Sequence, residues 1–322
     1  MRVGIISFAH GHANAYADAL VNMPDVELVG IADDDRERGQ AAADRFKTDY
    51  FSSYDALLKA SVNAVIITSE NSRHREHVEA AALAGVAVLC EKPLAPTAED
   101  AKAMINACKQ AGVLLQTAFP VRFNEAIKRA RNVIQEGKIG EIVAIKGTNR
   151  GKNPGGWFVD KSSSGGGAVM DHTVHVADII RWITEKEFTH VYAEIEQSAK
   201  SAIDDSGILT MTLEDGSFAT LDCSWSRPSN FPTWGDVTIE FIGTDGTLFV
   251  DAFAQKFDVY HSNGLQWTFW GDDMDAALVK DFVGAVREDL APSITGEDGL
   301  RTVEVALAAY ESSKQKRPIA IT

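Results

Sequence analysis

Short apolar runs alternate with helical patterns along the first third of the chain. Predicted strands cover residues 3–8, 27–32, 64–68, 87–90 and 113–117. Predicted helices lie between them, over residues 14–21, 36–45, 73–84 and 99–110. Alternation at this spacing predicts parallel strands with crossover helices, and the nearly continuous apolar strands are typical of a sheet buried on both faces.

The pattern changes after about residue 120. A predicted helix over residues 124–135 and a strand over residues 141–146 lead into a Gly/Ser-rich loop from Gly151 to Gly167. The next helix begins near Asp171, whose side chain can cap it. Strands dominate beyond residue 189, with Asp-Gly hairpin signals, and two helices close the chain. We predict a doubly wound α/β domain over residues 1–120 and an α+β domain with an open, mainly antiparallel sheet over residues 121–322.

Charge and cysteine content narrow the function classes. The formal net charge is −15, which disfavours nucleic acid and anionic membranes as general partners but still permits an anionic substrate. No apolar run approaches the roughly 18 residues of a membrane helix. The three cysteines are far apart and form no C-x-x-C pair, so we expect a reducing, cytoplasmic location and neither a disulfide framework nor structural zinc.

The first strand ends in a candidate dinucleotide-binding turn, Ser7-Phe8-Ala9-His10-Gly11-His12. The usual G-x-G-x-x-G is absent, because Ser7 and Ala9 stand where the first two glycines would be and His12 where the third would be. The alternative is a plain strand-to-helix turn. The two imidazoles either contact the cofactor or only fill space.

Asp33 supports the cofactor interpretation. It closes the second strand 21 residues after His12 (33 − 12), and an acid about 20 residues beyond such a turn hydrogen-bonds the ribose hydroxyls. Asp34 and Asp35 follow, and three carboxylates would repel a 2′-phosphate. We therefore predict NAD in preference to NADP on a Rossmann domain. The alternative is that these are solvated loop acids.

Two later clusters carry candidate catalytic groups. Lys92 follows Glu91 at a strand end, where ligands of parallel sheets bind, and could serve as an electrophilic or acid–base group. Asp171 and His175 are four residues apart after the glycines at 165–167, which places a carboxylate beside an imidazole on one helix face. The alternatives are a surface Glu-Lys pair and a structural histidine.

The chain resembles the glucose–fructose oxidoreductase, inositol dehydrogenase and MocA family. The resemblance covers almost the whole chain and is strongest from about residue 62 to 182. It is carried, in this order, by Asp33, Asn71-x-x-His74, Glu91-Lys92-Pro93, Arg122-Phe123, Gly137-x-x-Gly140-Glu141, Gly165-Gly166-Gly167 and Asp171-x-x-x-His175. The sequence departs from the family pattern in the turn without its glycines, at Glu70 and at Thr173.

The resemblance implies NAD(P)-dependent oxidation of sugars, cyclic polyols or related hydroxyl compounds, with Lys92, Asp171 and His175 as the catalytic group. We expect a homo-oligomer formed through the C-terminal sheet and no metal ion. The predicted cofactor-binding residues are Phe8, Ala9, His10, Gly11, His12, Asp33, Thr68, Asn71, His74, Glu91 and Lys92. Those predicted to line a pocket for a small polyhydroxylated substrate are Arg122, Asn149, Arg150, Trp157, Asp171 and His175.

Three other functions stay open. His10-x-His12 after the first strand also resembles the metal-binding start of an amidohydrolase barrel, although such a barrel needs eight strand–helix repeats. A binding or regulatory protein could keep the nicotinamide fold without turnover. An NAD-assisted glycosidase would oxidise its sugar only transiently.

Overall fold

The computed structural model describes residues 1–198 and 201–321. These residues form two compact units. The first contains Met1–Pro120, Ser162–Gly165 and Met274–Arg301, and the second contains Val121–Lys161, Gly166–Asp273 and Thr302–Thr322. The predicted domains were contiguous, whereas two later segments return to the first unit. In these ranges no helix has the length and apolarity that a membrane crossing requires.

The first unit is built on a parallel sheet of six strands in the order β3-β2-β1-β4-β5-β6. The strands are Arg2–Ile6 (β1), Glu27–Ala32 (β2), Asp49–Phe51 (β3), Ala64–Ile67 (β4), Ala87–Glu91 (β5) and Leu115–Ala118 (β6). The helices between them are Ala13–Val21 (α1), Arg36–Phe46 (α2), Tyr54–Leu58 (α3), His74–Leu83 (α4) and Ala98–Ala111 (α5). This is the predicted doubly wound arrangement.

The centre of this sheet is buried because its strands are apolar on both faces. Every residue of β4 and of β5 is buried, and Ile5, Ile66 and Leu89 are among the largest fully buried side chains. The strand Asp49–Phe51 and the helix Tyr54–Leu58 were not predicted. They are too short to show a hydrophobic period.

The second unit contains a seven-stranded sheet in the order β12-β11-β7-β10-β9-β8-β15, and a separate hairpin of β13 and β14. Its strands are Ile142–Gly151 (β7), Phe188–Glu196 (β8), Ser206–Leu213 (β9), Phe218–Ser224 (β10), Gly235–Gly243 (β11), Thr247–Asp251 (β12), Lys256–His261 (β13), Gly264–Phe269 (β14) and Ile319–Ala320 (β15). The remaining helices are Glu125–Gln135 (α6), Lys161–Ser164 (α7), Ala168–Thr184 (α8), Met274–Glu288 (α9) and Gly296–Gln315 (α10).

The seven-stranded sheet is mainly antiparallel, as predicted, although β7 and β10 pair in parallel. The strand predicted over residues 141–146 runs on to Gly151, so it includes Asn149 and Arg150. Helix α9 belongs to the first unit, where it packs against α1. An open six-stranded sheet followed by this mixed sheet is not an eightfold barrel, so the amidohydrolase alternative was wrong.

The start of α8 corrects a second prediction, because Asp171 does not cap this helix. The helix begins three residues earlier, and Asp204 accepts hydrogen bonds from the main-chain N–H groups of Gly167 at 2.9 Å and Val169 at 3.0 Å. A Cβ atom on Gly167 would lie 2.0 Å from the Asp204 carbonyl oxygen, so only glycine fits there. Asp171 instead lies in the first turn of α8.

A buried ion pair joins α8 to the segment before α6. Arg122 Nε donates to Asp178 Oδ2 at 2.7 Å, and Arg122 Nη2 donates to Asp178 Oδ1 at 2.5 Å. Both side chains are almost completely buried. Breaking such a pair by removing one partner leaves an uncompensated charge inside the protein.

We predict that Asp178→Ala lowers the free energy of unfolding by about 3–5 kcal/mol, the usual cost of leaving one partner of a buried ion pair. Urea unfolding measures the loss. Arg129→Ala is the matched control, because Arg129 pairs with Glu125 on the surface of α6 and such pairs contribute about 0–1 kcal/mol. Equal losses in the two variants would contradict the prediction.

Candidate functional site

The carboxyl ends of β1, β2, β4 and β5 meet at one edge of the parallel sheet. The first turn, Asp33, Thr68 and Glu91-Lys92 follow or end these strands. Ligands of open parallel sheets bind at this edge, so the fold brings together the predicted cofactor residues of the first unit.

The turn after β1 is closed by hydrogen bonds within the first unit. Ser7 has a φ of +70°, a left-handed conformation that a glycine would adopt more easily. The His10 N–H donates to the Thr68 carbonyl oxygen at 3.0 Å, and the Phe8 N–H donates to Asp33 Oδ2 at 2.8 Å. The turn is therefore fixed to the ends of both neighbouring strands without the usual glycines.

Asp33 is held by more groups than the sequence indicates. Arg38 binds both of its carboxylate oxygens, at 2.7 and 2.8 Å, and the Asp35 N–H donates to Oδ1 at 2.9 Å. Asp34 pairs with Arg73 at 2.5 Å. Asp33 and Asp34 are thus each paired with an arginine, which the sequence did not predict, and both arginines lie beside the expected ribose position.

A small cavity opens beside Asp33. A cavity of about 110 Å³ lies beside the carboxylate, between the ends of β1 and β2 and the segments that carry Ser52, Arg73 and His77. Polar and apolar walls both line it. Asn71, which follows β4, has only 4% of its surface exposed, and its side-chain amide donates to the Ser164 carbonyl oxygen at 2.8 Å.

Glu91 is the fully buried centre of a hydrogen-bond network. His12 Nδ1 donates to Glu91 Oε1 at 2.8 Å, the Tyr16 hydroxyl donates to the same oxygen at 2.6 Å, and the Lys92 N–H donates to Oε2 at 2.9 Å. Burial would raise the pKa of Glu91, but the electrostatic attraction of the His10 and His12 imidazoles and the His12 hydrogen bond hold it well below its ordinary value. Glu91 is therefore a buried carboxylate.

His12, directly before α1, and Tyr16 on α1 both hydrogen-bond to this carboxylate. Burial lowers the pKa of His12, but the neighbouring Glu91 carboxylate outweighs this and the pKa is raised. Burial and Glu91 together raise the pKa of Tyr16 well above its ordinary value, so its hydroxyl stays protonated and can donate. His12, at the third glycine position, is thus bound to Glu91 and does more than fill space.

Three predicted cofactor residues have no exposed surface: Thr68, His74 and Glu91. The Thr68 hydroxyl donates to the Ser7 carbonyl oxygen at 2.6 Å. His74 Nε2 lies 3.1 Å from the Ser69 carbonyl oxygen, and Nδ1 lies 3.1 Å from those of Pro93 and Leu94. Burial lowers the pKa of His74. These side chains hold the main chain around the site, and their contact with the cofactor stays a prediction.

In the second unit, Asp171 and His175 lie one turn apart on α8. Asp171 Oδ2 accepts from Trp225 Nε1 at 3.3 Å and lies 3.3 Å from His172 Nε2. His172 Nδ1 in turn donates to the Asn149 carbonyl oxygen at 2.8 Å. The Asp171 carboxylate is therefore held in place by two rings, and His175 is buried nearby on the same helix.

The other predicted substrate residues have structural contacts of their own. Arg122 binds Asp178 as described above. Arg150 lies 3.1 Å from Asp236 through its Nη2. The Trp157 ring stacks on the Phe158 ring with centroids 3.9 Å apart. Asn149 is fully buried, and its Oδ1 has no hydrogen-bond partner among the residues that the structure describes.

Tyr16 and Arg38 were not predicted as site residues from the sequence. Tyr16 lies four residues after His12, a spacing that puts both on one side of a helix, and Arg38 lies five residues after Asp33. These spacings were visible. The contacts of the two side chains could not be predicted from these spacings, because Glu91 is 75 residues from Tyr16 along the chain.

Comparison with known proteins agrees with this geometry. A family model described as "Oxidoreductase family, NAD-binding Rossmann fold" matches residues 1–119, and one described as "GFO/IDH/MocA C-terminal domain" matches residues 127–249. The chain is 30% identical to 1,5-anhydro-D-fructose reductase of Ensifer adhaerens, over 89% of each protein. It is 27% identical to myo-inositol 2-dehydrogenase of Thermotoga maritima, over 99% of this chain and 98% of that protein.

Among solved structures, the fold matches that of GenD2 from gentamicin A biosynthesis, determined in complex with NAD. The TM-score is 0.92 at 23% identity, and the match covers 100% of this chain and 96% of that one. This likeness shows the fold. The two family matches and the 30% identity to the anhydrofructose reductase show that the chain belongs to the glucose–fructose oxidoreductase, inositol dehydrogenase and MocA family of NAD-binding oxidoreductases.

Proposed function

We propose that this protein is an NAD-dependent dehydrogenase that oxidises a hydroxyl carbon of a sugar, a cyclic polyol or a related compound. The observation that carries the proposal is the placement of the β1–α1 turn, Asp33 and Lys92 at one edge of the parallel sheet. Asp33 and the cavity beside it would hold the adenosine end. The turn would lie against the pyrophosphate.

We assign proton transfer, charge stabilisation and substrate orientation to three residues of the chain. NAD, when bound, supplies the hydride acceptor. Oxidation of an alcohol to a carbonyl also releases the hydroxyl proton, and His175 is our proposed acceptor for it. Lys92 would hydrogen-bond the same oxygen and stabilise its developing negative charge. Asp171, already fixed by Trp225 and His172, would orient the substrate or Lys92.

The proposed substrate class is a small polyhydroxylated compound. The relatives named above act on an anhydrosugar and an inositol by their names, and both carry several hydroxyl groups. Asn149, with a buried Oδ1 that lacks a partner among the described residues, supports a hydrogen-bonding substrate in the second unit. Trp157 and Arg150 are our other candidates for substrate contacts.

Location and assembly belong to the same proposal. We propose a cytoplasmic protein whose copies associate through the C-terminal sheet, with no nucleic acid or membrane partner. Exposed apolar side chains on that sheet, including Ile208 and Phe218, support self-association. Light scattering of the purified protein tests it, and a monomer at micromolar concentration would contradict it.

The activity is tested with a panel of sugars, inositols and sugar acids, each offered with NAD and with NADP and followed by nicotinamide absorbance. Net reduction of NAD by at least one compound is expected. A nicotinamide that binds without net reduction across the panel would favour the regulator or the NAD-assisted glycosidase.

For cofactor choice, we predict that NADH binds more tightly than NADPH and that Asp33→Ser reverses or narrows the difference. The variant removes an acceptor of the ribose hydroxyls and releases Arg38 to meet a 2′-phosphate. One charge-assisted hydrogen bond corresponds to about 10–100-fold in affinity. Fluorescence titration with both reduced nucleotides gives the ratio.

The double variant Asp33→Ser with Arg38→Ala is the control, because it lacks the released guanidinium. It should lose most of the gain in NADPH affinity. An equal gain in the single and the double variant would show that Arg38 plays no part, and tighter NADPH binding by the unaltered protein would contradict the cofactor assignment itself.

For catalysis, we predict that Lys92→Ala and His175→Ala each lower kcat by about 10²–10⁴, the usual contribution of a positioned acid or base. The measurement uses the best compound of the panel at saturating NAD. His190→Ala is the matched control, since His190 is an exposed imidazole on β8. Near-normal turnover in both active-site variants would remove them from the mechanism.

A further inference from the structure

His12, the residue directly before α1, and Tyr16 on α1 both contact the carboxylate of Glu91, which precedes Lys92. His12 and Tyr16 are one helical turn apart, and both donate to Glu91 Oε1. Tyr16 is fully buried, and its hydroxyl is 2.6 Å from that oxygen. Nothing in the proposed mechanism above uses Tyr16, yet it makes the shortest of these contacts.

The other oxygen of Glu91 contacts Lys92, the proposed catalytic residue. Glu91 Oε2 accepts from the Lys92 N–H at 2.9 Å, so the carboxylate connects α1 to the main chain of Lys92. A buried carboxylate is stable only while its oxygens are satisfied. If a partner on α1 is lost, the Glu91 side chain is free to turn, and the hydrogen bond to Lys92 weakens with it.

The main chain after Lys92 is held from another side. His74 Nδ1 lies 3.1 Å from the carbonyl oxygens of Pro93 and Leu94. Lys92 therefore lies between two buried anchors, the α1–Glu91 contacts before it and His74 after it. Fixing the main chain on both sides of Lys92 limits the positions that its amino group can take.

The same cluster could be taken for a metal site, since His10, His12 and Glu91 offer ligand atoms within 4.8 Å of one another. Two contacts argue against it. The His12 N–H donates to His10 Nδ1 at 3.1 Å, which occupies the lone pair of that nitrogen. His12 Nδ1 is only 2.8 Å from Glu91 Oε1, a hydrogen-bond distance, whereas two ligands on a tetrahedral zinc would lie about 3.3 Å apart.

We propose that Tyr16 and His12 are positioning residues that act through Glu91 to hold the main chain of Lys92 at the end of β5. The role rests on the proposed function, in which Lys92 meets the substrate oxygen. It explains why this chain carries a histidine where a dinucleotide-binding turn usually has its third glycine. The imidazole supplies a hydrogen bond to a buried carboxylate that glycine cannot supply.

The test uses Tyr16→Phe, which removes one hydroxyl and leaves the ring in the core. We expect the Lys92 amide to exchange with deuterium about tenfold faster, the effect of losing about one hydrogen bond. We also expect kcat with the best panel compound to fall about tenfold, while the dissociation constant of NADH changes by less than about twofold. Tyr192→Phe is the control, because Tyr192 donates to Glu194 in the second unit.

A second pair of variants tests whether residue 12 acts through its hydrogen bond to Glu91 or only through the volume of its side chain. His12→Gln keeps a donor that can reach Glu91, and His12→Ala does not. Lys92 exchange should be near normal in the first and about tenfold faster in the second. Exchange equally fast in both, with the fold intact, would overturn the role of His12.

Unchanged Lys92 exchange in Tyr16→Phe and in His12→Ala would overturn the whole proposal. So would stoichiometric zinc in the purified protein that His12→Ala loses, since the cluster would then be a metal site. The exchange measurement needs no substrate. If no panel compound is oxidised, the proposed function fails, and faster Lys92 exchange in Tyr16→Phe still supports the link between α1 and Lys92.

Discussion

The buried charge of Glu91 is the constraint that organises the edge of the first unit. A carboxylate without exposed surface must find donors inside the protein, or it loses its charge. Here the donors are His12 in the turn after β1, Tyr16 on α1 and the main chain of Lys92. Satisfying one charge thus ties the turn after β1 to the end of β5, although they are nearly 80 residues apart in the sequence.

Other carboxylates of the chain also accept hydrogen bonds from main-chain N–H groups. Asp33 accepts hydrogen bonds from Arg38 and from two main-chain N–H groups. Asp204 accepts hydrogen bonds from N–H groups at the start of α8. In each case an acid fixes a turn or helix start that carries predicted functional residues. The strongly acidic composition therefore includes side chains that hold the main chain in place as well as solvated surface groups.

The sequence predicted the features that depend on local patterns. Continuous apolar strands and the alternation of strand and helix were enough for the parallel sheet, and Asp-Gly turns were enough for a mainly antiparallel second sheet. Hydrogen bonds and ion pairs between residues that are distant along the chain could not be predicted from the sequence. The start of α8 depends on Asp204, which lies 37 residues from Gly167, and the pairing of Asp34 with Arg73 spans 39 residues.

In the candidate site, too, some features could be predicted from the sequence and others could not. Residue types and motif order identified Lys92, Asp171 and His175 as candidates, and their catalytic roles stay predictions. Burial and main-chain contacts could not be read from the motif, so the contacts of His74 with the carbonyl oxygens of Pro93 and Leu94 were not predicted. Tyr16 showed no chemical signal in the sequence, because a tyrosine in a helix is usually a packing residue.

The central claim is net hydride transfer from a carbon atom to NAD, and an isotope measurement tests it most directly. The panel compound that reduces NAD is prepared with deuterium on the carbinol carbon, and the nicotinamide product is examined by mass spectrometry. The account predicts one deuterium in every NADH formed. Unlabelled NADH, or consumption of the compound with no labelled NADH, would contradict it.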